Sequence, residues 1–216
     1  MKKRIPQIIL FAIAIATVFS SCKKDNSIAS NDINTQINSY PNEPLTNDEI
    51  SSLKLMREEE KLAHDVYVTL NNKWSVNVYT NIASSEQTHT SSILTLLNKY
   101  NIKDPVGTNA VGVFTDTTLQ ALYSQLIAAG SVSRVEGFKV GATIEDLDIY
   151  DLKNWNTKID NQDIVFVYQN LSKGSRNHMR SFYSQVINAG GTYTAQFISQ
   201  SELEAIVNTP KETGSW

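Results

Sequence analysis

Each of the four long helices that the periodicity predicts carries ionisable residues in the middle of its apolar stripe. An unpaired charge on a face that packs into a core is costly, so these residues need partners of opposite charge or a bound cation. The interrupting side chains are carboxylates and imidazoles: Glu60 on the first helix, Glu86 and His89 on the second, Glu145 and Asp148 on the third, and His178 on the fourth. Such groups aimed at one point are typical of a metal site.

The helices are predicted from apolar residues that recur at intervals of three and four positions. A capping box of Thr46 and Glu49 begins the first helix, which ends near residue 72. The other long helices are predicted at 75–100, 133–154 and 161–189. A short helix at 117–129 lies between the second and third long helices. Because strand signals are weak, the pattern predicts an all-α fold: a four-helix bundle with a long crossover that contains a short helix.

The chain divides into four predicted segments. Its 216 residues suffice for one core but not comfortably for two. Residues 45–207 are predicted to form the bundle, and residues 208–216 a loose tail. Residues 22–44 are rich in Asn and Ser and poor in apolar side chains, which is typical of a flexible tether. Residues 1–21 have the features of a signal peptide.

The N-terminal segment predicts export and a lipid anchor. A basic region at residues 2–4 precedes an apolar stretch at 8–19 that is short for a membrane span. Residues 19–22, Phe-Ser-Ser-Cys, resemble a bacterial lipobox with Phe in place of the usual Leu, and Cys22 is the only cysteine. We therefore expect a lipidated Cys22 that holds the domain on a bacterial membrane, outside the cytoplasm. The alternative is an ordinary secretory signal or an anchor helix with a coincidental cysteine.

Composition argues against several functions. The formal net charge is −3 and no patch rich in Lys and Arg stands out, so nucleic acid is not an expected partner. The sequence also lacks a nucleophile triad, a phosphate-binding loop and a dinucleotide fingerprint. The oligomeric state stays open, with a homodimer among the alternatives. Metal chemistry is therefore the main functional hypothesis.

The most specific local motif is Glu86-x-x-His89. A separation of three residues turns a helix by about 300° and advances it by about 4.5 Å, so both side chains leave the same face. On the first helix the apolar periodicity allows either of two adjacent residues as the ligand, Glu60 or the alternative Glu59. Plainer interpretations exist for each position: a solvated charge run at 58–60, a surface acid at Asp148, and a hydrogen-bonded core histidine at His178.

Four segments in combination resemble an uncharacterised family of the ferritin-like superfamily, related to rubrerythrin and bacterioferritin. They are MREEEKLAHDVY at 56–67, SEQTH at 85–89, GATIEDLD at 141–148 and GSRNH at 174–178. The resemblance implies a ferritin-like four-helix bundle that holds two metal ions, which are iron in those relatives. The carboxylate-rich ligand types suit iron, with manganese as the alternative. The ligands that it implies are Glu60, Glu86, His89, Glu145 and His178, with Asp148 as a further acid on the third helix.

Two details of the resemblance matter for chemistry. Tyr67 follows Glu60 by seven residues, as in those relatives, which implies a redox or hydrogen-bonding group beside the metals and makes it our catalytic candidate. Ser175 stands where a bridging Glu is expected, and Asp148 is the residue able to compensate. The four-cysteine rubredoxin domain of rubrerythrin is absent, so an electron donor would be external. His64 lies off the stripe and is expected at the surface or behind the ligands.

Three functions follow as hypotheses. The first is a di-iron oxidoreductase of the ferroxidase or peroxidase type that reacts with dioxygen or peroxide. The second is a non-catalytic metal-binding module of the cell envelope. The third is a scaffold with a degenerate site, for which Ser175 is the best argument.

Overall fold

Residues 26–214, which the computed structural model describes, are all-helical, as the sequence predicts. The predicted signal peptide and Cys22 lie outside this range. The helices are α1 (Asn26–Ser39), α2 (Asn47–Trp74), α3 (Asn77–Lys99), α4 (Thr117–Gly130), α5 (Arg134–Trp155), α6 (Gln162–Asn188) and α7 (Gln200–Val207). All five helices expected from the periodicity are present, and their ends differ from the predicted ones by a few residues.

The four long helices pack in a ring. Helix α2 contacts α3 and α5, and α6 contacts α5 and α3, while α4 lies against α2 and α5. The capping box predicted for α2 is present: the Thr46 hydroxyl accepts from the Glu49 N–H, and Glu49 Oε2 accepts from the Thr46 N–H at 2.8 Å. Ser75 caps the C-terminus of α2 in a left-handed conformation with φ of 51° and lets the chain reverse into α3.

The apolar core is split into two clusters, and the polar stripe residues lie between them. One cluster includes Tyr67, Leu70, Tyr79, Phe138 and Phe182. The other includes Leu53, Met56, Ile93, Leu96 and Leu171. Along α2, α3 and α6 the buried apolar residues change from one cluster to the other where the ionisable residues interrupt the stripe, and along α5 the change comes just after them, between Ile149 and Leu152.

Charged residues of α2 attach the crossover to the long helices. Arg57 donates to both carboxylate oxygens of Asp104 at 3.0 Å. Glu58 Oε1 accepts from the Thr115 N–H at 2.5 Å, just before α4 begins. Lys61 pairs with Asp65 and donates to the Ala110 carbonyl at 2.9 Å. The run at 58–60 is therefore buried and specifically bonded, so its interpretation as a solvated run was wrong.

Within the segment 22–44 that is predicted to be a flexible tether, the described residues 26–39 form helix α1. Ile33 and Ile37, one turn apart, are buried in the cluster that contains Leu53 and Ile93. Lys99 donates to the Ile37 carbonyl at 3.1 Å and to the Asp163 carboxylate at 2.6 Å. The segment has few apolar residues, but these share one face, and docking on α3 and α6 supplies the stability that propensity alone does not.

The described part of the tail is also docked rather than loose. Glu212 accepts two hydrogen bonds from Arg176, at 2.7 and 2.5 Å, and a third from Arg180 at 3.2 Å. Asn177 bonds the backbone of the same residue through both atoms of its amide. A paired contact of this kind fixes the path of residues 208–214 along α6. Within residues 26–214, none of the helices combines the length and apolar character needed to cross a bilayer.

Candidate metal centre

The structure brings all six predicted metal ligands into one buried region between the apolar clusters. Glu60 and Glu145 have no exposed surface, and even the most accessible member, His178, is only 8% exposed. The remaining three are also buried: Glu86, His89 and Asp148. Helices α2, α3, α5 and α6 each supply at least one of these side chains.

Within this region two overlapping groups have the geometry to hold a metal ion. The first consists of Glu60, Glu86 and His89, and the second of Glu86, Glu145 and His178. In each group the potential ligand atoms lie within 4.8 Å of one another. Glu86 belongs to both, and its two oxygens divide between the groups: Oε2 lies 2.7 Å from His89 Nδ1, and Oε1 lies 2.7 Å from His178 Nδ1.

The two imidazole rings have equivalent orientations. His89 Nδ1 also lies 3.0 Å from Glu60 Oε2, and His178 Nδ1 lies 3.4 Å from Glu145 Oε2. The opposite ring nitrogens both approach Ser85 Oγ, at 3.5 Å for His89 Nε2 and 3.1 Å for His178 Nε2. The rings are stacked with centroids 5.5 Å apart. A hydroxyl behind both rings fixes which nitrogen faces the carboxylates, as partners behind metal-binding histidines commonly do.

Tyr67 supports the second group. Its hydroxyl donates to Glu145 Oε1 at 2.5 Å, so Glu145 Oε2 is the oxygen that faces His178. Burial, followed by the charge of Glu145, raises the pKa of the Tyr67 phenol well above its usual value, so the phenol stays protonated. The structure therefore gives Tyr67 a positioning contact with a candidate ligand.

Asp148 and Ser175 differ in what they offer. Ser175 Oγ donates to the Leu171 carbonyl of its own helix at 3.1 Å and lies in neither group. Asp148 is in neither group by the same criterion, yet the charges that act most strongly on it are those of Glu60 and Glu145, one from each group. Its Oδ2 is buried without a hydrogen-bond partner. The fourth carboxylate of the region thus comes from α5 rather than α6.

Glu59 and His64 lie apart from the two groups. Glu59 is buried, and the carboxyl group that acts most strongly on its pKa is that of Asp151 on α5. His64 is partly exposed and its Nδ1 lies 2.9 Å from Asp65 Oδ1, at the attachment of the crossover. Of the two alternatives on α2, Glu60 is therefore the one that faces His89.

The pKa values of the centre reflect buried carboxylates that lack enough positive charge nearby. Burial would lower the pKa of both histidines, but the charge of Glu86 and its neighbours outweighs burial, raising His178 to about 9 and His89 well above its usual value. Burial raises the pKa of Glu60 to about 7 against the opposing effect of His89. The pKa of Glu86 is held well below its usual range because the two imidazoles outweigh the effect of burial. Without metal, protons supply the missing charge.

The potential ligand atoms are arranged better for binding a cation than for hydrogen bonding with one another. His178 Nδ1 and Glu86 Oε1 are 2.7 Å apart, yet neither atom has an aligned hydrogen bond. Four more buried oxygens in the region also lack partners: Glu60 Oε1, Glu86 Oε2, Glu145 Oε2 and Asp148 Oδ2. Lone pairs that converge without a donor between them are expected where several ligands face a common ion.

The raised pKa values predict that rising pH lowers the stability of the metal-free protein and increases its affinity for metal. The contribution of His178 to stability is complete below its unfolded pKa of about 6.5 and is lost as the pH rises through about 9. The contribution of Glu60 to stability is lost in the same direction, as the pH rises through about 7. Metal competes with these protons, so its affinity increases over the same interval.

We therefore expect the melting temperature with a chelator to fall between about pH 6.5 and 9, while the increase caused by Mn²⁺ becomes larger. Differential scanning fluorimetry at several pH values, with and without the ion, measures both effects. A difference between the two curves that stays constant with pH would contradict this linkage.

The fold and this buried region define an all-helical protein with groups of Glu and His that could hold a metal ion. Residues 49–210 match the family model described as an uncharacterized protein domain, DUF2202, and the chain belongs to this family.

A relative supports this membership over most of the chain. The uncharacterized protein MJ0754 of Methanocaldococcus jannaschii is 52% identical over 178 residues, which cover 82% of this chain and 96% of the relative. A crystal structure of the hypothetical protein MJ0754 from Methanococcus jannaschii matches with a TM-score of 0.78, covering 80% of this chain and 98% of that one. Neither name carries a function, so a function must be argued from the site itself.

Proposed function

We propose that this protein is a ferritin-like four-helix bundle, related to rubrerythrin and bacterioferritin, that holds two divalent metal ions and reacts with dioxygen or peroxide. The observation that carries the proposal is the sharing of Glu86 by two three-residue groups. Proteins of the ferritin-like superfamily hold paired ions with Glu and Glu-x-x-His residues from the four helices of a bundle. The alternation of Glu60, Glu86 with His89, Glu145 and His178 along this chain follows that scheme.

The charge of the region supports two ions rather than one. Glu60, Glu86, Glu145 and Asp148 carry four negative charges when ionised, and two neutral imidazoles complete the donor set. Two divalent cations would balance these charges, whereas one would leave two buried carboxylates uncompensated. Glu86, which belongs to both groups, would help to hold both ions. Asp148 would be the additional carboxylate, because the charges of Glu60 and Glu145 act most strongly on it.

The donor types favour iron, with manganese as the alternative. Oxygen ligands with one imidazole per ion suit these metals, while structural zinc and copper(I) favour thiolates. The only cysteine of the chain, Cys22, precedes the described residues. Bound iron would supply the one-electron chemistry that dioxygen or peroxide requires.

The residues of the chain would prepare the centre for that chemistry. Tyr67 would hold Glu145 in place through its hydroxyl, and Ser85 would hold the two rings. Burial of every candidate ligand would limit the access of bulk water. Electrons for repeated turnover would come from an external donor, since residues 26–214 contain no cysteine that could build a rubredoxin-type site.

Anaerobic titration with Fe(II) tests the proposal. We expect the purified protein to bind about two ions per chain, by analogy with di-iron bundle proteins, and to oxidise them when dioxygen or hydrogen peroxide is added. Elemental analysis and Mössbauer spectroscopy measure the two results. A protein that binds no metal would contradict the proposal and favour the scaffold.

One observation favours a second candidate, a metal-binding module of the cell envelope without catalysis. Ser175 bonds its own helix at the position where related di-iron proteins have a bridging Glu. A centre that lacks this carboxylate could bind metal and yet not react. Two bound Fe(II) ions that resist oxidation by both oxidants would support this candidate.

We also propose that the protein is exported and anchored by a lipid on Cys22, since residues 19–22 resemble a lipobox. Cys22→Ala should block lipidation and leave an unprocessed precursor. Metabolic labelling with a palmitate analogue and fractionation of cells measure this, with the unmodified chain as the control. A wild-type protein that is soluble, cleaved and unlabelled would contradict the anchor and indicate an ordinary secretory signal.

A further inference from the structure

A cleft of about 530 Å³ opens beside the candidate metal centre, between α2, α4 and α5. Exposed residues form its rim, among them Thr118, Gln125 and Phe197, and leucines line much of its wall. Two acids also line it: Glu59 of α2 and Asp116, the residue that caps α4. The cleft therefore connects solvent to a carboxylate next in sequence to a candidate metal ligand.

Glu59 is unusual for a residue that lines an open cleft. Its side chain is only 4% exposed, and its Oε2 has no hydrogen-bond partner. After burial itself, the groups that act most strongly on it are the carboxyls of Asp151, Glu60 and Asp116. A buried carboxylate among carboxylates is costly unless it shares a proton or meets a cation.

The acids on α5 extend this arrangement from the surface to the centre. Glu145, Asp148 and Asp151 follow one another at intervals of three residues. Each interval advances the helix by about 4.5 Å, so the three carboxylates form a series along one side of it. Exposure changes along the series: Asp151 is partly exposed, whereas Asp148 and Glu145 are buried. The carboxyl group of Glu59 interacts with that of Asp151, the outermost acid, and acts electrostatically on Asp148, the middle one.

We propose that Glu59 and Asp151 form a loading site for a divalent cation on its way from the cleft to the dinuclear centre. Asp116 attracts the ion at the opening, Glu59 and Asp151 replace part of its water shell, and Asp148 receives it beside Glu60. This inference rests on the proposed function, because it requires the centre to bind metal. Carboxylates arranged along a path keep a cation paired at each step.

The other cleft near the centre is less suited to cations. It has a volume of about 340 Å³ and is lined mainly by neutral side chains together with His64. Tyr67 lies between it and Glu145, and the phenol is a donor at that contact. A divalent ion entering there would meet no carboxylate before the centre. We therefore place the route on the side of Glu59.

The rate at which Co²⁺ enters the protein tests the loading site. Co²⁺ gives a visible absorption spectrum when bound and needs no oxidant, so stopped-flow mixing measures loading without any catalytic activity. We expect Glu59→Gln and Asp151→Asn each to slow loading by about tenfold or more. Electrostatic attraction increases association rates by at least about this factor, so its loss should lower the rate by a similar amount. The final number of bound ions and their affinity should match those of the wild type. Glu204→Gln, which removes an exposed carboxylate of α7, is the control and should load normally.

The outcomes separate this inference from the proposed function. Normal loading rates in both variants would overturn the loading site while leaving the centre intact. Loss of a tightly bound ion in Glu59→Gln would make Glu59 a ligand of the centre and would also overturn it. A wild-type protein that binds no Co²⁺ would overturn the proposed centre itself. Asp151 is partly exposed, so its variant preserves the test even if a change at the buried Glu59 disturbs folding.

Discussion

Replacing Glu86 by Gln is expected to abolish tight binding of both metal ions. Glu86 is the one residue common to the two candidate groups, and each of its oxygens lies 2.7 Å from the Nδ1 atom of a different histidine. Loss of a residue behind a metal ligand typically lowers metal affinity by about 10- to 100-fold. Loss of a shared ligand should exceed that range at both positions. Isothermal titration calorimetry with Mn²⁺ and elemental analysis of the purified variant measure the effect.

Variants of the unshared ligands are the matched controls for Glu86→Gln. Glu60→Gln and Glu145→Gln each alter a single group, so each should leave one ion bound tightly. Glu58→Gln changes a buried acid of α2, the helix of Glu60, that bonds the crossover, and it should leave both ions bound. Circular dichroism checks that each variant remains helical. Two tightly bound ions in Glu86→Gln would show that the metals, if present, lie elsewhere.

The sequence was sufficient to predict the four long helices and the residues that meet between them. Helical periodicity determines which side chains share a face, so Glu86 and His89 could be assigned to one point from their spacing. The choice between Glu60 and Glu59 was harder because adjacent residues differ by only about 100° around the helix. The packing of α5 resolves it, since Glu59 turns to Asp151 while Glu60 faces His89.

Contacts that depend on distant partners were not predictable in the same way. The position of Ser85 four residues before His89 was a usable local signal for its contact with that ring, but nothing local indicates its contact with His178. Helix α1 has only a short apolar stripe, and its order depends on α3 and α6. The carboxylate of Glu58 bonds N–H groups nearly 60 residues away, at the start of α4. Such pairings follow from the tertiary fold and not from periodicity.

Replacing Gly174 by Ala is expected to disturb the candidate metal ligand His89 and to destabilise the protein. Alanine normally stabilises a helix by about 1 kcal/mol relative to glycine. Here, a Cβ atom at position 174 would lie 2.5 Å from His89 Cε1 and 2.6 Å from its Nε2. The ring has little freedom to move because Glu60, Glu86 and Ser85 surround its nitrogens. Overpacking of this kind costs about 1–3 kcal/mol.

The same variant should lower the affinity for an ion at the group of Glu60, Glu86 and His89 more than the affinity at the other group. Calorimetric titration would resolve the two affinities. A double-mutant cycle isolates the contact. In the His89→Ala background the ring is absent, so Gly174→Ala should become stabilising by about 1 kcal/mol, the ordinary helical preference. Urea denaturation of the metal-free proteins measures all four corners of the cycle. Equal destabilisation by Gly174→Ala in both backgrounds would mean that the glycine is required for a reason other than the space occupied by His89.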